Sequence, residues 1–236
     1  MIDRIAKQRL NVILLVDSSH SMAGKRIKQV NEAITDIKDY LIDLQDENTN
    51  ADFYLTIIPF STEAVFYDDK KMINIKDLDY QGIKVGGWSN LHCAYDKLGE
   101  IIEKESKGGI MPDFGGMAPI ILLLTDGHPT GNSYKESLEK IKNIPWFKAA
   151  LRYGIAIELN DDKTINVLKK FVGTNGDVIM CYDSTMLKNI IKIIVLTTSK
   201  VRSSNNNVVY NKHESQNKVL QQIIGEALVD VDNLEW

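Results

Sequence analysis

The chain has 236 residues, 44% of them hydrophobic and 25% charged, with a formal net charge of −4. This composition is typical of one globular domain with at most a small appendage. The acidic balance leaves no basic stripe, which argues against nucleic acid as a partner.

Targeting signals are weak along the whole sequence. No apolar run approaches the ~18 residues of a membrane span, and the charged N-terminus lacks the apolar core of a secretory signal. The two cysteines, Cys93 and Cys181, lie far apart and form no metal or redox motif. We therefore expect a cytoplasmic, reducing compartment and no membrane span.

The first predicted strand is the apolar run at residues 10–16, which is typical of a strand buried on both faces of a parallel sheet. A helix is predicted at about 25–45, because apolar residues recur there at steps of three and four. The aromatic and β-branched run at 53–58 predicts a second strand, which Pro59 is expected to close. Since a helix joins these two strands, we predict that they are parallel.

The next apolar run, at 63–67, begins too soon for a parallel connection, which needs roughly a dozen residues. It therefore predicts an antiparallel strand at an edge of the sheet. Residues 68–85 are mixed and charged and predict a loop with room for one helical turn. A stripe of apolar residues from 91 to 102 predicts the second helix.

The second half of the chain alternates strands and helices. Residues 119–125 predict a fully buried strand that ends in Asp126-Gly127. The sequence Ser133-Tyr134-Lys135-Glu136 matches a capping box and predicts a helix start, and Pro145 is expected to stop this helix. The last elements are predicted as a strand at 151–159, a helix near 163–171, a strand at 178–180 and a helix at 185–196.

Together these elements predict an α/β fold. We expect a doubly wound, mostly parallel six-stranded sheet of order 3-2-1-4-5-6, with helices on both faces and one antiparallel edge strand. Residues 1–200 would form this domain, and residues 201–236 a polar linker and an amphipathic C-terminal helix. The apolar stripe of that helix, Val219 to Leu228, fits docking on the domain or on a partner equally well.

Short oxygen-bearing side chains lie where the two central strands end, and Ser89 follows Gly86-Gly87 just before the second predicted helix. In a doubly wound sheet, ligands bind at this edge, so these side chains are expected to converge. Carboxylates and hydroxyls suit Mg²⁺ or Mn²⁺, and the set lacks the soft ligands of zinc or copper. Mg²⁺ takes about six ligands, which leaves a position for an Asp or Glu of another protein. The five candidate metal ligands are Asp17, Ser19, Ser21, Ser89 and Asp126.

These motifs resemble a known family. Asp17-x-Ser19-x-Ser21, a hydroxyl after paired glycines and Thr125-Asp126-Gly127 resemble the metal-ion-dependent adhesion site (MIDAS) of von Willebrand factor A domains, over residues 10 to about 198. The resemblance implies that the five candidates bind or surround a metal. The sequence departs from the family at His20 and Trp88, where glycine is common, and at Ser89, where threonine is common.

One branch of that family is more similar than the others. Pro112-Asp113-Phe114 and the stretch from Thr125 to Thr130 resemble the bacterial tellurium-resistance TerY-type proteins. This resemblance implies a stress-response or anti-phage system, with a protein kinase or PP2C-type phosphatase as partner. The chain lacks the cysteines of the C-terminal zinc segment that such proteins can carry.

Each motif also has a plainer explanation. Asp17 or Ser19 could cap the following helix, and Asp126-Gly127 alone is an ordinary turn signal. His20 and His128 flank the site, and we expect exposed rim residues rather than proton carriers. Trp88 fits a partner anchor or packing on the sheet edge equally well.

The sequence therefore predicts a non-catalytic module that binds a partner protein through Mg²⁺. It has no dinucleotide or phosphate-binding glycine motif and no nucleophile beside a base. Two rivals stay open. One is a metal-dependent phosphohydrolase with Asp17 as nucleophile and His20 or His128 assisting. The other is a scaffold that binds through its C-terminal helix, with an incidental metal.

Overall fold

The computed structural model describes residues 8–47, 51–159, 161–174 and 176–203. Within these ranges a six-stranded sheet has the order β3-β2-β1-β4-β5-β6. The strands are β1 (Gln8–Asp17), β2 (Ala51–Phe60), β3 (Ile73–Asn74), β4 (Ile120–Thr125), β5 (Leu151–Ile157) and β6 (Val178–Cys181). The helices are α1 (Lys25–Glu47), α2 (Leu91–Ile101), α3 (Tyr134–Ile141), α4 (Pro145–Ala149), α5 (Asp162–Val172) and α6 (Ser184–Ser203).

The predicted topology is confirmed. β1 lies at the centre and pairs in parallel with β2 on one side and β4 on the other. β4 continues in parallel to β5, and β5 to β6. Only β3, at one edge of the described sheet, runs antiparallel to its neighbour β2. The order of the strands reverses between β1 and β4, so the crevice for a ligand opens at their carboxyl ends.

The core has two layers because β1 is buried on both faces. Leu14 and Val16 point into a cluster shared with α1 and α6. Ile13 and Leu15 point into a second cluster, on the opposite face, that α2, α3, α4 and α5 cover. This alternation follows from the period of two in a strand, and it explains why the run from Val12 to Val16 holds no polar residue.

The edge strand lies at a different position from the one predicted. Residues 63–67 form no strand, and Ala64 makes only an isolated bridge to Phe60. Glu63 and Val65 are exposed, so this run buries too little apolar surface to extend the sheet. The observed edge strand is β3, in which Ile73 is buried; it lies inside the stretch predicted as loop.

Two prolines act differently from the prediction. Pro59 lies within β2 rather than at its end. Its carbonyl accepts a hydrogen bond from Val65 N at 3.2 Å, so its backbone groups face away from β1 and no sheet bond needs its missing N–H. Pro145 does not stop α3, which ends at Ile141; it begins the unpredicted helix α4, where a first-turn N–H has no helical partner.

The predicted start of α3 is correct, but the capping box does not form. Ser133 precedes the helix and makes no side-chain cap hydrogen bond. Its backbone is already helical, with φ −59° and ψ −25°, which is not the extended conformation that a capping side chain requires. Its carbonyl instead accepts a hydrogen bond from Glu136 N at 3.2 Å.

The C-terminal part of the prediction lies largely outside the described residues. The stripe from Val219 to Leu228 belongs to this part, so the division at residue 200 stays a prediction. Among the described helices, none combines the length and the apolar character that crossing a bilayer requires.

Candidate metal centre

The carboxyl ends of β1 and β4 place two aspartates side by side. Val16 pairs with Leu124 in the parallel ladder. Asp17 follows Val16 as the last residue of β1, and Asp126 lies one residue beyond the end of β4. Both are almost completely buried, at 0% and 4% exposure. Burying two carboxylates so close together is costly unless hydrogen bonds or cations compensate the charge.

Two loops close over these carboxylates. The first loop leaves β1 through a 3₁₀ turn at His20–Met22, which the buried Met22 anchors in the core. The second loop precedes α2, and its Gly87 carbonyl accepts a hydrogen bond from His20 N at 3.1 Å. Gly86 N donates to Ser18 O at 2.8 Å, so backbone bonds join the two loops directly. Ser89 is thereby held next to Asp17.

Both oxygens of the Asp17 carboxylate accept hydrogen bonds. Its Oδ1 accepts Ser19 N at 2.9 Å. Its Oδ2 accepts Ser89 Oγ at 2.9 Å and Thr125 Oγ1 at 2.7 Å. The Ser89 prediction, which had the weakest motif match, thus coincides with a direct contact between Ser89 and Asp17.

A chain of hydroxyl groups links the first loop to Asp126. Ser19 Oγ and Ser21 Oγ lie 3.0 Å apart. Ser21 Oγ donates to Asp126 Oδ1 at 2.7 Å. Together with the contacts of Asp17, these bonds bring all five predicted residues into one network, although they come from three distant segments of the chain.

The charge at the centre is only partly compensated. Burial raises the pKa of Asp126, and the neighbouring Asp17 raises it further, whereas the Ser21 hydrogen bond and Arg26 lower it. Arg26 Nη1 donates to Asp126 Oδ2 at 2.7 Å. Asp126 therefore contacts an arginine, whereas the hydrogen bonds given above for Asp17 come from neutral donors, which leaves the centre attractive to a further cation.

The sequence reasoning missed two residues of this network, Thr125 and Arg26. Thr125 belongs to the motif Thr125-Asp126-Gly127, but no role was predicted for it from the sequence. The sequence does contain a signal for the role of Arg26. Lys25 and Arg26 begin α1, and the first turn of this helix holds no acidic residue. Cations are unfavourable at a helix N-terminus, so their presence there indicates a nearby acidic partner.

Two of the plainer explanations, for Ser19 and Trp88, fit the structure less well, while that for the histidines agrees with it. Ser19 precedes the 3₁₀ turn but makes no side-chain cap bond. Trp88 is 70% exposed and therefore does not pack on the sheet edge. His20 is exposed, as expected. His128 is also partly exposed, and its Nε2 lies 3.0 Å from Asp161 Oδ2, so its ring is oriented by Asp161.

The donor set fits a hard divalent cation. It consists of two carboxylates and several hydroxyls, all oxygen, at the end of a parallel sheet. Over the described ranges, no group of three or more His, Cys, Asp or Glu side chains could hold a metal. A softer metal such as zinc prefers nitrogen or sulfur ligands, whereas the five predicted donors are all oxygen.

A sequence profile of the von Willebrand factor type A domain matches residues 11–193, so the chain belongs to this family. Among curated proteins, the inter-alpha-trypsin inhibitor heavy chain H4 of Bos taurus is 33% identical to it over 126 residues. This match covers 51% of this chain. The chain is 28% identical over 145 residues, 59% of its length, to heavy chain H1 of Sus scrofa. The matches cover only 13% and 15% of those proteins.

Solved structures support the same fold. A von Willebrand factor type A protein from Catenulispora acidiphila superposes with a TM-score of 0.59 at 14% identity, covering 81% of this chain and 43% of that one. Proximal thread matrix protein 1 from the mussel byssus gives 0.52 at 20% identity, covering 82% and 48%. At these identities the likeness establishes the architecture alone.

Proposed function

We propose that the chain is a non-catalytic binding module that recognises a partner protein through a divalent cation, Mg²⁺ or Mn²⁺. The cation would be held by Asp17, Ser19, Ser21, Ser89 and Asp126. The single observation that carries the proposal is their continuous hydrogen-bonded network at the switch point of the sheet. The family to which the chain belongs is one of protein-interaction and adhesion modules.

The chemistry of this set follows from charge and ligand number. Two carboxylates balance the charge of one divalent cation, and the hydroxyls add neutral donors. A bound Mg²⁺ would supply a positive centre with a coordination position open to another molecule's carboxylate. The side chains of this chain would orient the cation and shield it from solvent. An Asp or Glu of the partner is therefore the expected contact.

The narrower assignment rests on sequence resemblance. The stretch Pro112-Asp113-Phe114 and the residues after Asp126 support a TerY-type, cytoplasmic protein of a stress-response or anti-phage system. A protein kinase or PP2C-type phosphatase is the partner which that resemblance implies. The curated relatives described above are inter-alpha-trypsin inhibitor heavy chains, so this assignment draws no support from them.

The contacts of His128 favour binding over hydrolysis. A histidine that assists a nucleophile needs a ring nitrogen free to exchange a proton. Both ring nitrogens of His128 are instead engaged, Nδ1 with Thr164 Oγ1 and Nε2 with Asp161 Oδ2, each at 3.0 Å. A phosphohydrolase would turn over generic phosphoesters and lose this activity in EDTA. We expect no turnover with or without Mg²⁺.

The central test is isothermal titration of Mg²⁺ and Mn²⁺ into the full chain and into Asp17→Ala. We expect saturable heat from the wild type and about a hundredfold loss of affinity in the variant, because a charged ligand and the anchor of two hydroxyls are removed. Asp39→Ala serves as the control, since Asp39 is an exposed carboxylate on α1. Equal heats from wild type and Asp17→Ala would exclude this metal site.

Partner capture separates the module from the scaffold. Under the proposal, a chelator releases the partner, and Asp17→Ala fails to capture it. If the C-terminal helix did the binding and the metal were incidental, capture would be the same with and without EDTA.

A further inference from the structure

Arg26 lies where a bound cation would act. It sits in the first turn of α1, with its side chain one-third exposed. Its Nη1 donates to Asp126 Oδ2 at 2.7 Å and to Ser21 O at 3.0 Å. Both acceptors belong to residues of the proposed metal centre. The guanidinium therefore compensates the same carboxylate charge that a divalent cation would use.

A second carboxylate forms an ion pair with Arg26. Glu158 Oε2 is 3.6 Å from Arg26 Nε. Glu158 follows β5 with a φ of +49°, a conformation that is uncommon for residues other than glycine. Its carboxylate is held by Lys25 Nζ at 2.5 Å and Gln29 Nε2 at 3.1 Å, and its N–H donates to Cys181 O at 2.8 Å. Glu158 is thus a fixed anion beside the centre.

From this arrangement we propose that Arg26 is a positioning residue that sets the cation affinity of the centre. Its guanidinium is an internal counter-ion of Asp126 that competes with the divalent cation. When a cation binds Asp126, the guanidinium remains paired with Glu158. This inference rests on the proposed function, because it concerns the same centre.

The physical reason is electrostatic. A fixed positive charge in contact with Asp126 opposes the approach of a divalent cation, and partial burial weakens the screening by water and salt. The same charge stabilises the cation-free protein by compensating the buried carboxylate of Asp126. Arg26 should therefore lower cation affinity and raise cation-free stability together. A purely structural residue would not couple these two quantities with opposite sign.

The test uses the full chain, with Mg²⁺ titration calorimetry and thermal unfolding with and without Mg²⁺. In Arg26→Gln we expect about tenfold tighter Mg²⁺ binding, a lower Tm without Mg²⁺ and a larger rise in Tm on adding it. In Glu158→Gln we expect about threefold weaker Mg²⁺ binding, because the Arg26 guanidinium then pairs with Asp126 without competition from the Glu158 carboxylate. The two variants therefore move the affinity in opposite directions.

Two further variants test specificity. Lys25→Gln removes the same charge from the neighbouring residue, whose Nζ pairs with Glu158 Oε1 at 2.5 Å, and it should change the affinity by less than about twofold. Arg26→Lys keeps the charge and should bind Mg²⁺ like the wild type, and it also reports on Arg26 if Arg26→Gln does not fold. Equal tightening in Lys25→Gln and Arg26→Gln, or an Arg26→Lys variant that binds as tightly as Arg26→Gln, would overturn the inference.

The outcomes also distinguish a failure of the role proposed for Arg26 from a failure of the proposed metal centre. If the wild type binds Mg²⁺ and Arg26→Gln binds it no more tightly, the role of Arg26 is wrong while the metal centre stands. If neither protein binds Mg²⁺, both proposals are wrong. If only Arg26→Gln binds Mg²⁺, the competition between Arg26 and the cation is confirmed.

Discussion

Buried charges occur at both ends of the sheet, and they are compensated in different ways. At the amino end, Arg152 of β5 is 6% exposed. Its Nε donates to the carbonyls of Phe171 and Val172 in α5, both at 3.1 Å, and its Nη1 to those of Phe147 and Ala150 around α4. At the carboxyl end, Asp17 and Asp126 are compensated largely by side-chain hydroxyls and by Arg26.

The difference indicates which end can exchange its partners. Backbone carbonyls at helix ends cannot turn away without moving the helices, so Arg152 is locked in place. Burial lowers the pKa of Arg152 to about 10, and the residue therefore remains charged at neutral pH. Serine and threonine hydroxyls rotate freely and can both donate and accept. The amino end is therefore structural, while the carboxyl end is suited to accept a ligand.

The largest expected effect is on stability at the amino end. Arg152→Met keeps the bulk of the side chain and leaves the carbonyls of Phe147, Phe171 and Val172 without this donor. We expect a loss of about 3 kcal/mol in the free energy of unfolding, with no change in Mg²⁺ affinity. Denaturant unfolding and Mg²⁺ titration measure the two quantities.

The control for this variant is Arg9→Met. Arg9 forms a partly exposed ion pair with Glu105 at 2.7 Å and donates to the carbonyl of Ile110 at 3.0 Å, so its loss should cost about 1 kcal/mol, clearly less than the loss of Arg152. If Arg152→Met weakened Mg²⁺ binding as strongly as Asp17→Ala, the two ends would not be independent and the comparison would fail.

The next effect concerns the loop that holds Ser89. Gly87 has a φ of +80°, and a Cβ there would collide with Thr62 Oγ1 and lie 3.2 Å from Thr62 N. We expect Gly87→Ala to cost about 2 kcal/mol in stability and to weaken Mg²⁺ binding severalfold, because the loop must shift. Gly86→Ala is the matched control.

At Gly86 a Cβ would meet no atom within 4 Å, and no left-handed φ is required. We expect Gly86→Ala to change stability by less than about 0.5 kcal/mol and to leave Mg²⁺ binding unchanged. Thermal unfolding and titration of both variants decide the matter. Equal effects of the two substitutions would show that the loop conformation is not what positions Ser89.

The smallest expected effect tests a single hydroxyl. Thr125→Val keeps the shape of the side chain but removes the hydrogen bond from Oγ1 to Asp17 Oδ2. We expect a loss of about 1 kcal/mol in stability and a fewfold weaker affinity for Mg²⁺. Thr56→Val is the control, because its Oγ1 donates to Lys71 O at 2.7 Å away from the centre. That variant should lose similar stability and no Mg²⁺ affinity, whereas parallel losses would contradict a role for Thr125 at the centre.

Features that depend on local sequence were predicted well, whereas features that depend on contacts between distant residues were not. The central strands were predicted correctly, because β1 and β4 are buried on both faces and consist of apolar residues. An antiparallel edge strand was predicted correctly but at the wrong residues, because the observed β3 is two residues long and pairs with Tyr54 and Leu55. A strand this short carries no periodic signal. Its position depends on which residues can pack against the finished sheet.

Some residues of the candidate centre were likewise identified from the sequence, whereas the roles of others were not. The five oxygen-bearing residues were identified from their places after strands and glycines, because the carboxyl ends of parallel strands meet at one edge. The Arg26 contact was not predicted, since it joins residues 100 positions apart in sequence. The role of Thr125 was missed because its hydroxyl turns toward Asp17, 108 positions away.

By itself, the sequence determined the class of fold and the order of the strands, and it identified five oxygen-bearing residues that the structure joins in one hydrogen-bonded network. These features follow from burial patterns and strand ends, which are local properties of the chain. Only the tertiary structure decided the location of the edge strand, the positions of Pro59 and Pro145 and the pairing of Arg26 with Asp126. Those features depend on contacts between distant segments, and such contacts exist only after the sheet has brought the segments together.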